Sequence, residues 1–296
     1  MPAADDLAEE FTTFRPRLLG IAYRMLGSVW DAEDVVGDTM VRWMAVDRST
    51  VREPLAYLTT MVTRRALDQL RSARVARERY VGQWLPEPLL TDPSPLGPLD
   101  TVEQREAVSL ATLRMMEALT PPERAVLVLH EAFDLPHAEI AEILDISEAG
   151  ARQHLRRARS HLADGRTRGR SDPEGHDHYL ERFLRALERG DLTEVQDLLA
   201  DDVIAYADGG GKASASRFPI AGRRRVVKFF GALRKRYAVR VIDRVEVNGY
   251  PAALLRFGAG PQVLAVEVRA GKIVEIHSIR NPDKLAYLDQ QLAHQR

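Results

Sequence analysis

Between Leu119 and Leu162 the chain sets Arg152, Gln153, Arg156, Arg157 and Arg159 along about two helical turns. Guanidinium and carboxamide groups at this density hydrogen-bond base edges and pair with phosphate oxygens. Ala151, Leu155, Ala158 and Leu162 recur between them at helical spacing, so one face is buried and the basic side chains occupy the other. Ser147 stands where its hydroxyl caps this helix, with Glu148 directly after it. Upstream, His137 to Leu144 reads as a shorter helix with Ile140, Ala141 and Leu144 on its apolar stripe. Asp145 and Ile146 make the turn between them. Many such turns carry glycine here, but aspartate tolerates the left-handed conformation. Two helices, a tight turn and a basic second helix form a helix-turn-helix. In that geometry Arg152 and Gln153 reach base edges in the major groove, while Arg156, Arg157 and Arg159 meet phosphates.

The elements that hold this motif are mostly helical. Residues 7–75 read as three helices, the second opening at Ser28 or Asp31 and the third after Pro54. Residues 77–101 contain Pro86, Pro88, Pro93, Pro95 and Pro98 and read as an extended linker. Helical periodicity resumes near Val102 and lasts through Leu162. A charged break at 163–175 then leads to a different kind of sequence. Helical patterns at 176–189, 193–200 and 223–237 surround VIAYAD, and four alternating runs follow: VRVIDRVEVN, AALLRFG, VLAVEVRA and KIVEIHSIR. The expected architecture is multi-domain: two all-α domains (1–76 and 102–165) joined by the linker, then an α+β domain (174–296) with a curved antiparallel meander wrapped on helices.

Composition narrows the function. The 296 residues carry a formal net charge of −1, so any DNA binding is local to patches rather than spread over the molecule. Cysteine is absent, which excludes disulfides and thiolate metal sites; no metal or cofactor is expected. The N-terminus is acidic and lacks an apolar signal core, and no apolar run approaches membrane-spanning length, so a cytoplasmic protein with no membrane contact is expected.

The arrangement of two helical domains, the second ending in a helix-turn-helix, resembles an extracytoplasmic-function sigma factor of the sigma-70 family. DAEDVVGDTMVRW (31–43) resembles the acidic helix with which that family docks on core RNA polymerase. Asp31, Asp34 and Asp38 share one stripe with Glu33 beside it, a face suited to a basic partner. The segment from Ala45 to Ser72 is similar to the loop and helix that open the minus-ten promoter element. The resemblance therefore assigns Arg64, Arg65, Asp68, Gln69 and Arg71 to strand opening, where a flipped base and displaced phosphates need such groups. It assigns the basic helix, from Ser147 and Glu148 to Arg159, to the minus-thirty-five element.

The C-terminal part resembles SnoaL-like and ketosteroid-isomerase-like cone domains, which a subgroup of these sigma factors carries. Three motifs support it: GQWLPEPL (82–89), DGGGK (208–212) and NPDKL (281–285). The implied role is regulation in cis. Trp84, Leu85, Pro86, Asp208, Gly209, Gly210, Gly211, Lys212, Asn281, Pro282, Asp283 and Lys284 are the expected contact residues, with Asp208 ion-paired to nearby Lys212 in an exposed loop. Asp208, Tyr206, His277 and Glu267 also sit at strand positions where isomerase relatives hold a base and an oxyanion donor. No catalytic residue is assigned, because that analogy rests on fold alone. A small apolar ligand in the cone is a further possible partner. Two other readings are a stand-alone helix-turn-helix regulator with a ligand sensor, from which the acidic helix and the long linker separate the sigma factor, and a SnoaL-type isomerase, against which an empty or occluded cone would argue.

Overall fold

The computed structural model describes residues 4–92, 94–97, 101–166, 173–257 and 260–295. In chain order the helices are α1 (Ala4–Leu26), α2 (Val29–Trp43), α3 (Pro54–Glu78), α4 (Val102–Val108), α5 (Leu110–Met115), α6 (Pro121–Glu131), α7 (His137–Leu144) and α8 (Glu148–Arg166). Then come α9 (Pro173–Arg189), α10 (Leu192–Leu198), β1 (Leu199–Asp208), β2 (Ile220–Ala221), α11 (Arg223–Arg236) and β3 (Val239–Val247). The chain closes with β4 (Tyr250–Phe257), β5 (Gly260–Arg269), β6 (Lys272–Ile279) and α12 (Pro282–His294). Residues 167–172, within the charged break, lie outside the described residues, as do Pro93 and Pro98 of the proline-rich segment. Among the described residues no helix is long and apolar enough to cross a membrane.

Two compact units emerge. The first gathers Met1–Glu78, Ser94–Glu103 and Met115–Gly165; the second gathers Arg79–Pro93, Gln104–Arg114 and Arg166–Arg296. In the first unit, α1, α2 and α3 bury Phe11, Leu18, Leu19, Ala32, Val36, Trp43, Leu58 and Val62 against one another. Ser28 caps α2 by accepting the Asp31 N–H, so the acidic stripe begins in the first turn of that helix. Helices α6, α7 and α8 complete the unit. Asp145 adopts φ 55° and ψ 50°, the left-handed conformation that the turn demands. Ser147 Oγ accepts the Gly150 N–H at 3.0 Å and starts α8.

The second unit is a six-stranded sheet in the order β2-β1-β6-β5-β4-β3. Strands β3 to β6 form the expected meander, whereas β1 enters parallel to β6, a pairing that local alternation cannot reveal. One face is covered by α9, α10 and α11 through Leu180, Phe183, Leu198, Val226 and Phe230. The other face carries Val263, Ala265 and Ile279 under Leu285 and Leu288 of α12 and Leu110 of α5.

Leu85 and Leu90 join that second face, so residues 79–92 form an extended strap on the sheet rather than a free spacer. Its prolines cannot donate to a ladder; among the described residues Leu90 bridges Val247, with the Thr91 N–H donating to the Glu246 carbonyl at 2.9 Å. The strap is held instead by the β3–β4 hairpin. Asn248 and Gly249 take φ 55° and 81° there, as a two-residue turn requires. The buried Asn248 accepts the Leu89 N–H at 3.0 Å and donates to the Val108 carbonyl at 2.8 Å.

Candidate functional site

The first group of site residues lies on α2, α3 and α6 to α8. The acidic stripe and the α3 polar face share an open cleft lined by Glu33, Asp34, Asp38, Arg65, Asp68 and Gln69. Arg65 donates to Asp38 at 2.9 and 3.1 Å, and Gln69 donates to Asp31 at 3.0 Å. Glu33 pairs with Arg15 of α1, and Arg71 pairs with Asp68 at 3.2 Å. These pairs are exposed or half-exposed and contribute little individually, and the cleft keeps an excess of carboxylates in its lining.

Arg64 does something different. Its Nε donates to the Ile143 carbonyl at 2.8 Å and its Nη2 to the Glu142 carbonyl at 3.2 Å. Those are last-turn carbonyls of α7, where free acceptors and the negative helix end both favour a cation. A residue that the sequence aims at the minus-ten element therefore caps the first helix of the helix-turn-helix. A second junction is buried. Glu117 binds Arg77 of α3 and Arg124 of α6, while Arg124 also donates to the Arg24 carbonyl of α1 at 3.2 Å. Burial lowers the Arg77 pKa from its ordinary value, against the opposing charge of Glu117.

On α8 the expected burial pattern holds: Ala151, Leu155, Ala158 and Leu162 are inside. Gln153, Arg156 and Arg157 are exposed, Arg152 pairs with Glu148 one turn back, and Arg159 binds Glu131 of α6 at 2.6 Å.

The second group lies within the β-sheet unit, where the three separated motifs meet on one carboxylate. Asp208 is fully buried at the end of β1. Its Oδ1 accepts the Tyr80 hydroxyl at 2.6 Å; its Oδ2 accepts the Leu85 N–H at 2.8 Å and Lys284 Nζ at 2.7 Å. Lys284 Nζ also donates to the Leu85 carbonyl and lies 4.0 Å over the Trp84 ring. Asn281 caps α12 through the Asp283 N–H and donates to Tyr80 Oη at 2.8 Å. Pro282 occupies the first turn of α12, where a missing N–H costs nothing. Burial, followed by the hydrogen bond to Asp208 and its charge, pushes the Tyr80 pKa far above the ordinary tyrosine value, so the phenol stays a donor.

This arrangement corrects the expectation for Asp208. It is neither exposed nor paired with Lys212, which binds Asp283 at 2.6 Å on the surface. The glycines explain why the loop can pass. Gly210 has φ 59°, and a Cβ there would stand 2.3 Å from the Asn281 amide; one on Gly209 would stand 2.1 Å from the Ala213 carbonyl. Tyr80 and Asn248 were not singled out from the sequence. The Asn-Gly pair between two alternating runs signals the hairpin, but nothing local signals that its tip grips residue 89.

The remaining polar strand residues are also spoken for. The buried His277 hydrogen-bonds Glu275 at 3.0 Å and stacks on Tyr206 (5.6 Å, 19°). Arg114 of α5 forks onto Glu275 at 2.8 and 3.3 Å. Glu267 pairs with Arg269 at 3.2 Å. A cavity of about 240 Å³ opens between the sheet and α11. Asp208, His277 and Glu267 lie outside its lining, and Tyr206 shares its wall while stacking on His277.

The comparisons place these features in a family. Residues 11–75 match sigma-70 region 2, and residues 109–162 match sigma-70 region 4. The chain is 37% identical over 287 residues to the ECF RNA polymerase sigma factor SigJ of Mycobacterium tuberculosis, covering 93% of this chain and 92% of that one. The chain belongs to the extracytoplasmic-function family of RNA polymerase sigma factors. It is also 30% identical over 298 residues to the probable ECF sigma factor SigI of the same organism, covering 99% of each. The crystal structure of M. tuberculosis SigJ matches with a TM-score of 0.74 at 34% identity, over 94% of this chain and 98% of that one. The similarity thus runs through both units of this sigma factor, its SnoaL-like α+β unit included.

Two consequences for stability follow. Replacing Lys284 by methionine leaves Asp208 buried without its cation, a loss of about 3–5 kcal/mol for the α+β unit. The double variant Asp208→Asn/Lys284→Met removes both charges and should recover part of that loss in chemical denaturation; a strictly additive double variant would show that the pair is not coupled. Burial raises the Glu275 pKa, but the His277 hydrogen bond and the His277 and Arg114 charges outweigh it and hold the group at about 2 instead of 4.5. Its contribution is therefore complete above pH 4.5 and fades as pH falls toward 2. Glu275→Gln should flatten the dependence of Tm on pH across that window, measured by calorimetry.

Proposed function

We propose that this sigma factor presents Asp31, Glu33, Asp34 and Asp38 to core RNA polymerase. The α3 face of Arg64, Arg65, Asp68, Gln69 and Arg71 then opens the minus-ten element, and the α8 face from Ser147 to Arg159 reads the minus-thirty-five element in the major groove. In the free protein the minus-ten and minus-thirty-five faces belong to one helical unit. Arg64 is committed to α7 and Arg65 to Asp38, so both must change partners before they meet DNA.

The SnoaL-like unit is a regulator in cis, and the observation that carries this reading is the environment of Asp208. Two of the three groups that donate to its carboxylate, the Tyr80 hydroxyl and the Leu85 main-chain N–H, come from the segment that connects the two promoter-binding regions. Arg114 at the far end of the same connector is held by Glu275. Residues 79–93 and 104–114 are thereby built into the α+β unit, and only 94–103 lie between them. Bound, residues 79 and 114 are both fixed to the α+β unit; released, a connector from 79 to 114 spans up to about 120 Å. Holding or releasing the strap therefore sets how far apart the two DNA-binding regions can work. Asp208 holds the strap and lies outside the cavity lining, as do His277 and Glu267, which supports regulation over catalysis for this unit.

Deleting the whole α+β unit would strip Leu85, Leu89 and Leu90 of their cover, so point variants are the cleaner test. Asp208→Asn and Tyr80→Phe, compared with wild type in transcription by core polymerase from a promoter library, should each change output at least severalfold. The shift should be largest on promoters whose spacer length departs from the optimum. Unchanged transcription from both folded variants would overturn the regulatory reading while leaving the promoter-binding roles standing.

A further inference from the structure

The cavity beside α11 has the chemistry of a ligand site. Its wall is apolar where Phe229, Phe230, Leu264 and Ile276 meet, and polar at one end, where Ser216, Gln262, Ser278 and Arg280 lie. Ser278 already donates to Gln262 at 2.9 Å, so these two side chains are oriented. Arg280 is half-buried, and burial lowers its pKa from the ordinary arginine value, against the charge of Tyr237. At about 240 Å³ the space exceeds the ~150 Å³ that accommodates benzene in an apolar core. It falls below the roughly 300 Å³ at which drug-sized pockets begin. One ring or a short branched chain with a small head group fits that range.

The same strands carry the strap on their other face. Along β1, Ala205 and Ala207 line the cavity, while the intervening Tyr206 packs with the strap-side core and Asp208 holds the strap. The Arg280 N–H donates to the Asp208 carbonyl at 2.7 Å, and the next residue is Asn281, which binds Tyr80. Ser216 accepts Gln83 Nε2 of the strap on its carbonyl at 3.0 Å.

We infer that this cavity binds a small apolar carboxylate, with its hydrocarbon part against Phe229, Phe230, Leu264 and Ile276 and its charge on the Arg280 guanidinium. Occupancy is transmitted through Arg280 and Ser216 to residues 80–85. A planar guanidinium beside an apolar pocket selects a carboxylate over a neutral group, because its fork donates to two charged oxygens at once. The transmission rests on the reading of the strap as the control element; the binding does not.

The test uses the full-length protein with 3-phenylpropionate as probe and 3-phenylpropanol as its neutral counterpart. The acid should raise Tm in a concentration-dependent way and slow hydrogen exchange at the Leu85 amide, and the alcohol should bind about tenfold more weakly. Arg280→Met should weaken the acid by a similar factor, Arg280→Lys should retain part of the affinity, and Leu233→Trp should fill the space and abolish binding. Leu233 is half-exposed on α11, so that variant is informative even if Arg280→Met folds poorly. No binding of the acid at millimolar concentration, or equal binding of the alcohol, would overturn the site. Binding that leaves Leu85 exchange unchanged would overturn the transmission. If Leu85 responds while transcription responds neither to the acid nor to Asp208→Asn, the site stands and the regulatory reading fails instead.

Discussion

A carboxylate with no contact with water has to be met on every side, and in this protein Asp208 is that carboxylate. An ionised group in such a place is tolerable only when it is paired and hydrogen-bonded. Asp208 recruits a cation from α12, a phenol and a backbone N–H from the strap, and through its own carbonyl the N–H groups of Arg280 and Asn281. Much of the surrounding sequence follows from this requirement. The glycines after Asp208 keep the chain clear of Asn281 and Tyr80, Asn281 caps the helix that delivers Lys284, and the Trp84 ring lies against the Lys284 ammonium. The three short motifs are therefore parts of one polar centre rather than three independent signatures.

In the helical unit the corresponding role falls to backbone carbonyls and one glutamate. Arg64 satisfies the end of α7, and Glu117 gathers Arg77 and Arg124 at the junction of α1, α3 and α6. Such contacts suit a switch. The Arg64 bonds are partly exposed and can be traded for phosphate oxygens with little net loss, whereas the apolar cores on either side stay intact. On the proposed function, stable modules joined by exchangeable polar contacts are what a binding partner would rearrange.

The elements were legible where local chemistry decides them. The 3.6-residue period located the helices up to α11, Ser28 and Ser147 marked starts, Asp145 marked the turn, and alternation with Gly-rich breaks located β3 to β6; α12 (Pro282–His294), which delivers Lys284, was not located from the sequence. Pairings across long separations were not legible. Asp208 and Lys212 are neighbours in the sequence, yet the sheet turns Asp208 inward to Lys284 and leaves Lys212 to Asp283. Proline density made residues 79–92 look like a spacer, because prolines remove ladder donors; the leucines between them are what the sheet buries. Arg64 looked like a DNA contact from its position on α3, and only the packing of α7 beside it reveals a second employment. These are long-range consequences of topology, and a period or a cap carries no information about them.

The central claim is that the Asp208 centre, far along the chain from the helical unit, keeps the two promoter-binding regions together in the free protein. The chain has no cysteine, so Val41→Cys on α2 and Ser160→Cys on α8, both at exposed positions, supply the only labelling sites. Electron–electron distance measurement between spin labels there reads the separation of the two regions directly. The account predicts one narrow, short distribution in the otherwise wild-type chain, broadened toward long distances by Asp208→Asn and lengthened by core polymerase. Superimposable distributions with and without Asp208 would contradict it.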